Sequence, residues 1–425
     1  MTITEVGDDQ KTGVPTDLQF IDADSHWTEP ADLWSARVPE TMRDRVPHLQ
    51  RHHGRDSWIL DGELWASTGA NVIGAEQTKI VGGHIMDDYA DIDPSAWSVP
   101  HRLALMDELG AHSAVVYPNG VGFASNHMFA IEDIEQRKMI LSIYNDFFVD
   151  LQHESGNRLL PQAMLPIWDM DLTVKEMARM LDKGIRGFTL SDKPELIGLP
   201  ELWEPYFDPM WDIFNESGAV ANFHIGSGST KEQIDAARNQ IAQPTPALQP
   251  NQPIQPLAGY TAVSPAWREF GRQRKLAVSA TQSFMSNVRI ITNLCYSNLF
   301  DRYPKLQVVS AESGIGWLPF LLEAMDYQMD EMISEQSELA HTKGKPSDYF
   351  REHFYVMFWF EKSAPRRLID DIGARNILVE TDVPHSTCLY PGPRDHFVDV
   401  LRDVPTADVR RIMMENAAEL YGIDI

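Results

Sequence analysis

Residues 20–30 read F-I-D-A-D-S-H-W-T-E-P, and the rest of the chain is organised around this stretch. It begins apolar and then places Asp22, Asp24 and His26 at every second position. Side chains of a β-strand alternate between two faces, so these three would project to the same side. A buried carboxylate without a compensating partner is costly. The pattern therefore predicts either a strand that carries metal ligands or a turn capped by Asp24 beside a solvated His26.

Composition bounds the class of protein. The chain has 425 residues, of which 43% are hydrophobic and 23% are charged, as in an ordinary globular protein. The formal net charge of −26 argues against nonspecific binding to nucleic acid or to an anionic membrane. Cys295 and Cys388 are too few for a disulfide scaffold, which favours a reducing, cytoplasmic location. Residues 1–16 are polar without an apolar signal segment, and we expect them to form a disordered tail.

Short apolar segments alternate with helical patterns along most of the chain. After the first strand, further strands are predicted at residues 114–117, 159–165, 185–190, 219–224, 306–311, 353–360 and 377–381. Eight strands, each followed by a helix or by an insertion that ends in one, favour an α/β fold of the (β/α)8 TIM barrel type. The phosphate-binding glycine motifs of doubly wound sheets follow none of these strands, which argues against that alternative.

Two segments interrupt the alternation. Residues 31–100 follow strand 1 and contain two apolar runs about Asp61-Gly62, which predict a hairpin. An insertion of this length is typical of a lid or a subunit interface. Residues 240–260 are rich in proline and glutamine, which predicts an extended arm over the site or a neighbouring subunit. We therefore expect one barrel domain over residues 17–425, in a homo- or hetero-oligomer.

Residues with metal-ligand chemistry follow four of the predicted strands. Barrel enzymes build their sites from the carboxyl ends of strands. These ends supply Asp24 with His26, then His224, Glu312 and Asp382. A single histidine at a strand end is more often structural, but four ends that supply only His, Asp and Glu point to one site. Oxygen and imidazole ligands without thiolate suit zinc, iron or manganese, so we predict a divalent metal held by these five residues.

Five motifs in order resemble the amidohydrolase-related family (amidohydrolase 2), the metal-dependent barrel enzymes similar to aminocarboxymuconate semialdehyde decarboxylase. They are D-A-D-S-H-W-T-E-P, H-R-L-A-L-M-D-E-L-G-A, F-H-I-G, A-E-S-G-I-G-W-L-P and E-T-D-V-P-H. The resemblance implies a distorted (β/α)8 barrel in which Asp24, His26, His224 and Asp382 bind the metal. Decarboxylating relatives usually carry a histidine where this chain has Glu312, and that difference argues against decarboxylation.

The charges of the predicted ligands bear on the reaction. Asp24, Glu312 and Asp382 bring three negative charges, so with one divalent ion either a carboxyl group is protonated or a second cation is present. One ion is favoured, and two are compatible with the ligands. A bound ion lowers the pKa of its water, and Asp382 or Glu312 then acts as general base. This favours hydrolysis of a small amide, ester or lactone-like substrate, with Asp382 and Glu312 as the catalytic residues.

Three other functions use the same atoms. Two histidines and one carboxylate form the ligand set of oxygen-activating iron sites, so an iron or manganese hydroxylase subunit is a rival. A non-oxidative decarboxylase is the third enzymatic alternative. A structural metal-binding subunit, whose partner performs the chemistry, is the non-enzymatic alternative.

Four further side chains are candidates for contacts around the site. Glu29 is expected either to hydrogen-bond a ligand histidine or to cap the following helix. His84 either reaches the site from the insertion or lies on a surface loop. His385 follows Asp382 by three residues and is expected to contact the substrate or a ligand. Arg102 is expected either to anchor a substrate carboxylate or to pair with a nearby acid.

Overall fold

The computed structural model describes residues 12–82, 85–124, 126–228 and 272–425. His84, the predicted arm at residues 240–260 and residues 1–11 of the predicted tail lie outside the described residues. The remainder of that predicted tail has defined contacts, because the Gly13 N–H donates to the Val404 carbonyl at 2.9 Å.

Within the described ranges, eleven strands form a closed barrel and a small separate sheet. They are β1 (Phe20–Trp27), β2 (His48–His52), β3 (Arg55–Leu60), β4 (Glu63–Ser67), β5 (Ala111–Pro118), β6 (Leu159–Met164), β7 (Gly187–Thr189), β8 (Val220–His224), β9 (Gln307–Ala311), β10 (Phe354–Phe358) and β11 (Ile377–Val379). β1 and β5 to β11 pair in parallel in chain order, and β1 also pairs with β11, which closes the ring. The predicted (β/α)8 barrel is confirmed.

Helices pack around the barrel between its strands. They are α1 (Val99–Leu109), α2 (Ile134–Glu154), α3 (Met170–Asp182), α4 (Asp208–Ser217), α5 (Arg272–Ser283), α6 (Val288–Tyr296), α7 (Leu299–Arg302), α8 (Leu318–Met332), α9 (Gln336–Leu339), α10 (Pro346–His353), α11 (Ala364–Arg367), α12 (Ile369–Ile372), α13 (Pro393–Val400), α14 (Thr406–Arg410) and α15 (Asn416–Tyr421). Among these described helices, none combines the length and the apolar character that crossing a membrane requires.

The insertion after β1 carries the three-stranded antiparallel sheet β2-β3-β4. Asp61 and Gly62 both have positive φ, +51° and +81°, as the tight turn of the predicted hairpin requires. Trp34 packs edge-on against Trp58, with ring centroids 5.1 Å apart, and its indole N–H donates to the Ile140 carbonyl in α2. Trp34 therefore links the small sheet to helix α2.

The interior of the barrel below its carboxyl rim is polar and hydrogen-bonded. Oδ1 of Asn222 accepts from the hydroxyls of Tyr117 at 3.0 Å and Tyr421 at 2.6 Å. The Asn222 amide nitrogen donates to Oε1 of Gln162 at 2.7 Å. Because the buried amide has partners at both ends, this network forms a fixed floor under the rim.

Candidate metal centre

Five predicted ligands meet at the carboxyl rim of the barrel. Asp24 and His26 lie on β1, His224 ends β8, and Glu312 and Asp382 follow β9 and β11. Parallel strands place their carboxyl ends at one rim, so residues far apart in the chain become neighbours there. Glu312 is 8% exposed and the other four side chains are fully buried. The structure thus brings all five together, away from water.

The distances between neighbouring side chains of this cluster are those of metal ligands. Nε2 of His26 lies 3.2 Å from Nε2 of His224, 3.4 Å from Oδ1 of Asp24 and 3.5 Å from Oδ1 of Asp382. Nε2 of His224 lies 3.3 Å from Oδ2 of Asp24 and 3.4 Å from Oε2 of Glu312. Two ligand atoms that each lie about 2.1 Å from a metal are about 3 Å apart. The spacing is therefore close to that of a filled coordination shell.

Both histidines are oriented by main-chain carbonyl groups. Nδ1 of His26 lies 3.0 Å from the Pro118 carbonyl oxygen, and Nδ1 of His224 lies 2.7 Å from that of Ile225. A carbonyl oxygen only accepts, so each Nδ1 carries the hydrogen and each Nε2 directs its lone pair at the other. Two facing lone pairs at this separation require a cation or a proton between them. This tautomer is the one that binds a metal through Nε2.

The buried charges leave a negative surplus. Among the described residues, neither carboxylate oxygen of Asp24 has a hydrogen-bond partner. Burial raises the pKa of Asp24, and burial together with the charges of Asp382 and Asp24 raises that of Glu312 well above its usual value. Burial and the neighbouring histidines lower the pKa of His26 well below its usual value. A divalent cation would offset the carboxylates and bind the neutral imidazole, so the donor set fits such an ion.

The backbone is strained where two of the acids stand. Glu312 has a φ of +53° and Asp382 a φ of +61°, in the left-handed region that side-chain-bearing residues rarely occupy. The Asp382 N–H donates to the Asp24 carbonyl at 2.9 Å, and the His26 N–H donates to that of Val383 at 2.7 Å. The ends of β1 and β11 therefore hold each other in register at the site.

Asp22, the third residue of the alternating set on β1, hydrogen-bonds Thr381. Its carboxylate accepts the N–H of Thr381 at 2.7 Å and the hydroxyl of the same residue at 2.5 Å. The pairing of β1 with β5 shifts register between Asp22 and Ser25. Asp22 thus stabilises the segment that leads into Asp382.

His385 joins the cluster from the mouth of the barrel. Its Nδ1 lies 2.8 Å from Oδ1 of Asp382, and its ring stacks on that of His26 with centroids 3.7 Å apart. Ligand atoms of His26, Glu312, Asp382 and His385 all lie within 4.8 Å of one another, as do those of the overlapping group Asp24, His26, His224 and Glu312. The cluster therefore offers two overlapping sets of four ligands.

Glu29 has neither of its predicted contacts. It is fully buried, and its carboxylate accepts the N–H groups of Asn119 at 3.3 Å and Gly120 at 2.9 Å and the hydroxyl of Tyr144 at 3.0 Å. The free N–H groups of the loop after β5 are strong donors that need a buried acceptor. Glu29 therefore anchors this loop, where the sequence predicted a histidine contact or a helix cap.

Arg102 also differs from its prediction. The side chain is 2% exposed, and it donates to the carbonyl oxygens of Ser95 at 2.6 Å and His26 at 2.8 Å. Its guanidinium lies over the ring of Trp27, 5.3 Å from the centroid. Burial lowers its pKa to about 10. Arg102 thus supports the backbone of β1 behind His26 and contacts neither a substrate pocket nor a paired carboxylate among the described residues.

Two residues near the centre were missed from the sequence. Glu380 is fully buried, and its Oε2 accepts the N–H of Glu312 at 3.3 Å. It lies two residues before Asp382, in the strand predicted at residues 377–381, so alternation along that predicted strand could have identified it. The ring of Phe123 lies 4.1 Å from that of His224 and 5.0 Å from that of His26. Phe123 belongs to a loop, where no periodic pattern marks its direction.

A closed parallel barrel with a buried histidine and carboxylate cluster at its carboxyl rim defines the class of metal-dependent barrel enzymes. The family model described as "Amidohydrolase" matches residues 21–423, and the chain belongs to this family. The family predicted from the sequence motifs is therefore confirmed, and the protein is an enzyme of the amidohydrolase superfamily.

Individual relatives are distant in sequence. The chain is 24% identical over 337 residues to gamma-resorcylate decarboxylase from Polaromonas sp. strain JS666, which covers 76% of this chain and 87% of that protein. An amidohydrolase from Mycobacterium avium subsp. paratuberculosis K-10 superposes with a TM-score of 0.67 at 18% identity, covering 96% of this chain and 100% of the other. A dihydroxybenzoic acid decarboxylase from Polaromonas sp. JS666, with bound manganese and the inhibitor 2-nitroresorcinol, gives 0.54 at 18% identity, covering 95% and 97%. These structural similarities show the shared fold.

Proposed function

We propose that this protein is a metal-dependent, non-oxidative decarboxylase that releases CO2 from a small aromatic acid. The observation that carries the proposal is the buried ligand cluster at the barrel rim, in a chain that is 24% identical over 337 residues to a gamma-resorcylate decarboxylase. The relatives support this alternative better than the hydrolysis that the sequence favoured. Two of the three proteins reported above are named as decarboxylases, of gamma-resorcylate and of dihydroxybenzoic acid, and the third is named an amidohydrolase without a stated substrate.

Some of the side chains at the site would bind the cation, and others would supply a proton to the substrate or pack against it. Nε2 of His26 and of His224, with the carboxylates of Asp24, Glu312 and Asp382, would hold a divalent ion such as manganese. A cation there would supply positive charge that stabilises the electron density left on the substrate as CO2 departs. Each histidine is fixed in advance by its carbonyl partner, so the ligands need little reorganisation.

Decarboxylation also requires one proton to replace the departing carboxyl group. The Asn119 amide is fixed in orientation, because its nitrogen donates to Thr28 at 2.9 Å and its Oδ1 accepts the Ala70 N–H at 3.0 Å. Oδ1 lies 3.3 Å from Nε2 of His385, which must then be the donor. Nδ1 of His385 faces Oδ1 of Asp382 at 2.8 Å, a contact that is favourable only with a proton between them. The His385–Asp382 pair therefore holds the proton that the substrate carbon takes up.

The mouth of the site suits an aromatic substrate. Phe123 and His385 present rings beside the two cation-binding histidines, with Phe123 to His385 centroids 5.8 Å apart. Flat apolar rings pack favourably against an aromatic acid and exclude water from the imidazoles. The substrate's ring would thus lie against these side chains with its carboxylate toward the cation.

The test is CO2 release from a panel of hydroxylated benzoic acids, including 2,6-dihydroxybenzoate, by manganese-loaded protein in D2O. We expect deuterium at the carbon that lost the carboxyl group. His385→Phe keeps a ring against His26 but cannot hold the proton, and should lower kcat by about 100-fold or more without loss of manganese. His341→Phe, at an exposed position, is the matched control. A metal-loaded protein that releases no CO2 but hydrolyses amides, esters or lactones would overturn the proposal.

A second candidate is an oxygen-activating iron or manganese hydroxylase. It is favoured by the second ligand group, His26, Glu312, Asp382 and His385, which would let His385 bind another cation in place of a proton. More than one redox-active metal per chain together with oxygen uptake would support this candidate over decarboxylation. One zinc per chain would exclude it.

A further inference from the structure

Glu361 lies outside the ligand cluster and binds the loop that carries Glu312. It follows β10 by three residues and is half-buried. Its two carboxylate oxygens each lie 3.1 Å from the Ile315 N–H nitrogen, and Oε1 also accepts the Gly316 N–H at 2.9 Å. A side chain from the segment after β10 thus binds the main chain that follows the neighbouring strand, β9.

The loop is closely fitted to this carboxylate. Glu312 and Gly314 both have left-handed φ, +53° and +66°, within three positions. A Cβ atom on Gly314 would lie 3.1 Å from Oε2 of Glu361, and one on Gly316 would lie 3.2 Å from Oε1. A Cβ atom at either glycine would therefore be closer to the carboxylate than ordinary van der Waals contact. The shape of the loop and the position of Glu361 therefore depend on each other.

The same loop is held at its other end and leads into a helix. The Glu312 N–H donates to Glu380, and Leu318 begins the fifteen-residue helix α8 a short distance beyond the N–H groups that Glu361 binds. Negative charge at a helix N-terminus is stabilised by the free N–H groups and the helix dipole. Glu312 thus has a strained backbone conformation between the main-chain groups that Glu380 and Glu361 bind. Its Oε2 lies 3.4 Å from Nε2 of His224.

We propose that Glu361 is a positioning residue that keeps the Glu312 carboxylate directed at the cation of the metal centre. Without Glu361, the N–H groups of Ile315 and Gly316 lose their acceptor and the left-handed conformation at Glu312 is free to relax. That relaxation moves the Glu312 carboxylate away from His224. Loss of a residue that orients a metal ligand typically weakens metal binding about 10- to 100-fold. The proposal rests on cation binding by the centre and is independent of the reaction that the centre performs.

A double-mutant cycle on manganese affinity tests this role. Protein freed of metal with a chelator is titrated with Mn2+, and free Mn2+ is followed by electron paramagnetic resonance, for the wild type, Glu361→Ala, Glu312→Gln and the double variant. We expect about tenfold weaker binding in Glu361→Ala, and no further weakening when this change is added to Glu312→Gln. Glu352→Ala, whose side chain is 72% exposed, should bind as the wild type does.

Two results would overturn the role of Glu361. Equal weakening in both backgrounds would show that it supports the fold as a whole, and unchanged binding in both would show that it does not act on the ligands. If Glu361→Ala does not fold, Glu361→Met, which keeps the side-chain length but has no oxygen to accept these N–H groups, takes its place in the same cycle. If the wild type binds no Mn2+, that result contradicts both the metal centre and the role of Glu361. The assay needs no substrate, so a failed decarboxylation assay is distinguishable from a failure here.

Discussion

Nε2 of His26 and Nε2 of His224 lie 3.2 Å apart although 198 positions separate the two residues in the chain. Each Nδ1 is bound to a main-chain carbonyl, so both Nε2 lone pairs face the same point, beside the unpartnered carboxylate of Asp24. The site is therefore built to be completed by a cation.

Removal of the metal should destabilise the protein. A ligand that binds only the folded state adds about 2.7 kcal/mol of stability at a concentration 100 times its dissociation constant. Without the cation, four buried acids near one another, Asp24, Glu312, Glu380 and Asp382, repel each other. We expect a chelator to lower Tm in calorimetry and added Mn2+ to restore it. A Tm that is unaffected by chelation in protein proven metal-free would contradict this.

Asp382→Asn should abolish catalysis and leave the fold intact. Asparagine tolerates the left-handed φ of +61° at this position, so the backbone has no reason to move. The change removes the charge that faces His385 and the cation. We expect kcat to fall by about 100-fold or more with an unchanged circular dichroism spectrum. Asp371→Asn, at an exposed position, is the control. Retained turnover in Asp382→Asn would place the catalytic centre elsewhere.

Arg102→Met should destabilise the fold. The variant keeps much of the apolar stem but leaves the buried carbonyl groups of Ser95 and His26 without their donor. An unsatisfied buried polar group costs about 1 to 3 kcal/mol, so we expect a loss of about 2 to 5 kcal/mol in the free energy of unfolding. Chemical denaturation measures this, with Arg43→Met at an exposed position as the control. Equal loss in the two variants would show that Arg102 has no special structural role.

Glu361→Gln should change how stability depends on pH. Burial raises the pKa of Glu361 from 4.5 to about 7 in the folded protein, so between these values the folded state binds more protons than the unfolded state. Glu361 therefore makes the wild type lose stability as pH rises from about 4.5 to about 7. The unfolding free energy of the glutamine variant minus that of the wild type should therefore be larger at pH 8 than at pH 5. A difference in unfolding free energy that is the same at both pH values would contradict this.

The sequence predicted the barrel and the meeting of its ligands because both follow from short-range patterns. Alternation along β1 identified Asp24 and His26, and parallel strands place their ends at one rim whatever lies between them. The turn at Asp61-Gly62 was likewise readable, because both residues tolerate positive φ. Local chemistry and one rule of topology were sufficient for these features.

The partners of Glu29 and Arg102 were not readable in this way. Glu29 binds N–H groups that lie 90 and 91 positions away, in a loop whose path depends on the folded barrel. Arg102 binds carbonyl groups, which every residue has, so no sequence pattern marks them. Glu361 has the same character, since its partners are the N–H groups of Ile315 and Gly316. Contacts between a side chain and main-chain groups distant in the sequence are visible only in the structure.

The most direct measurement of the central claim is elemental analysis of protein purified without chelator, with metals counted per chain. The wild type should carry at least one equivalent of manganese, iron or zinc. His224→Ala, which removes the Nε2 that faces His26, should carry about a tenth of that or less while remaining folded. Folded wild-type protein without a divalent metal, or a His224→Ala variant with undiminished metal content, would contradict the account.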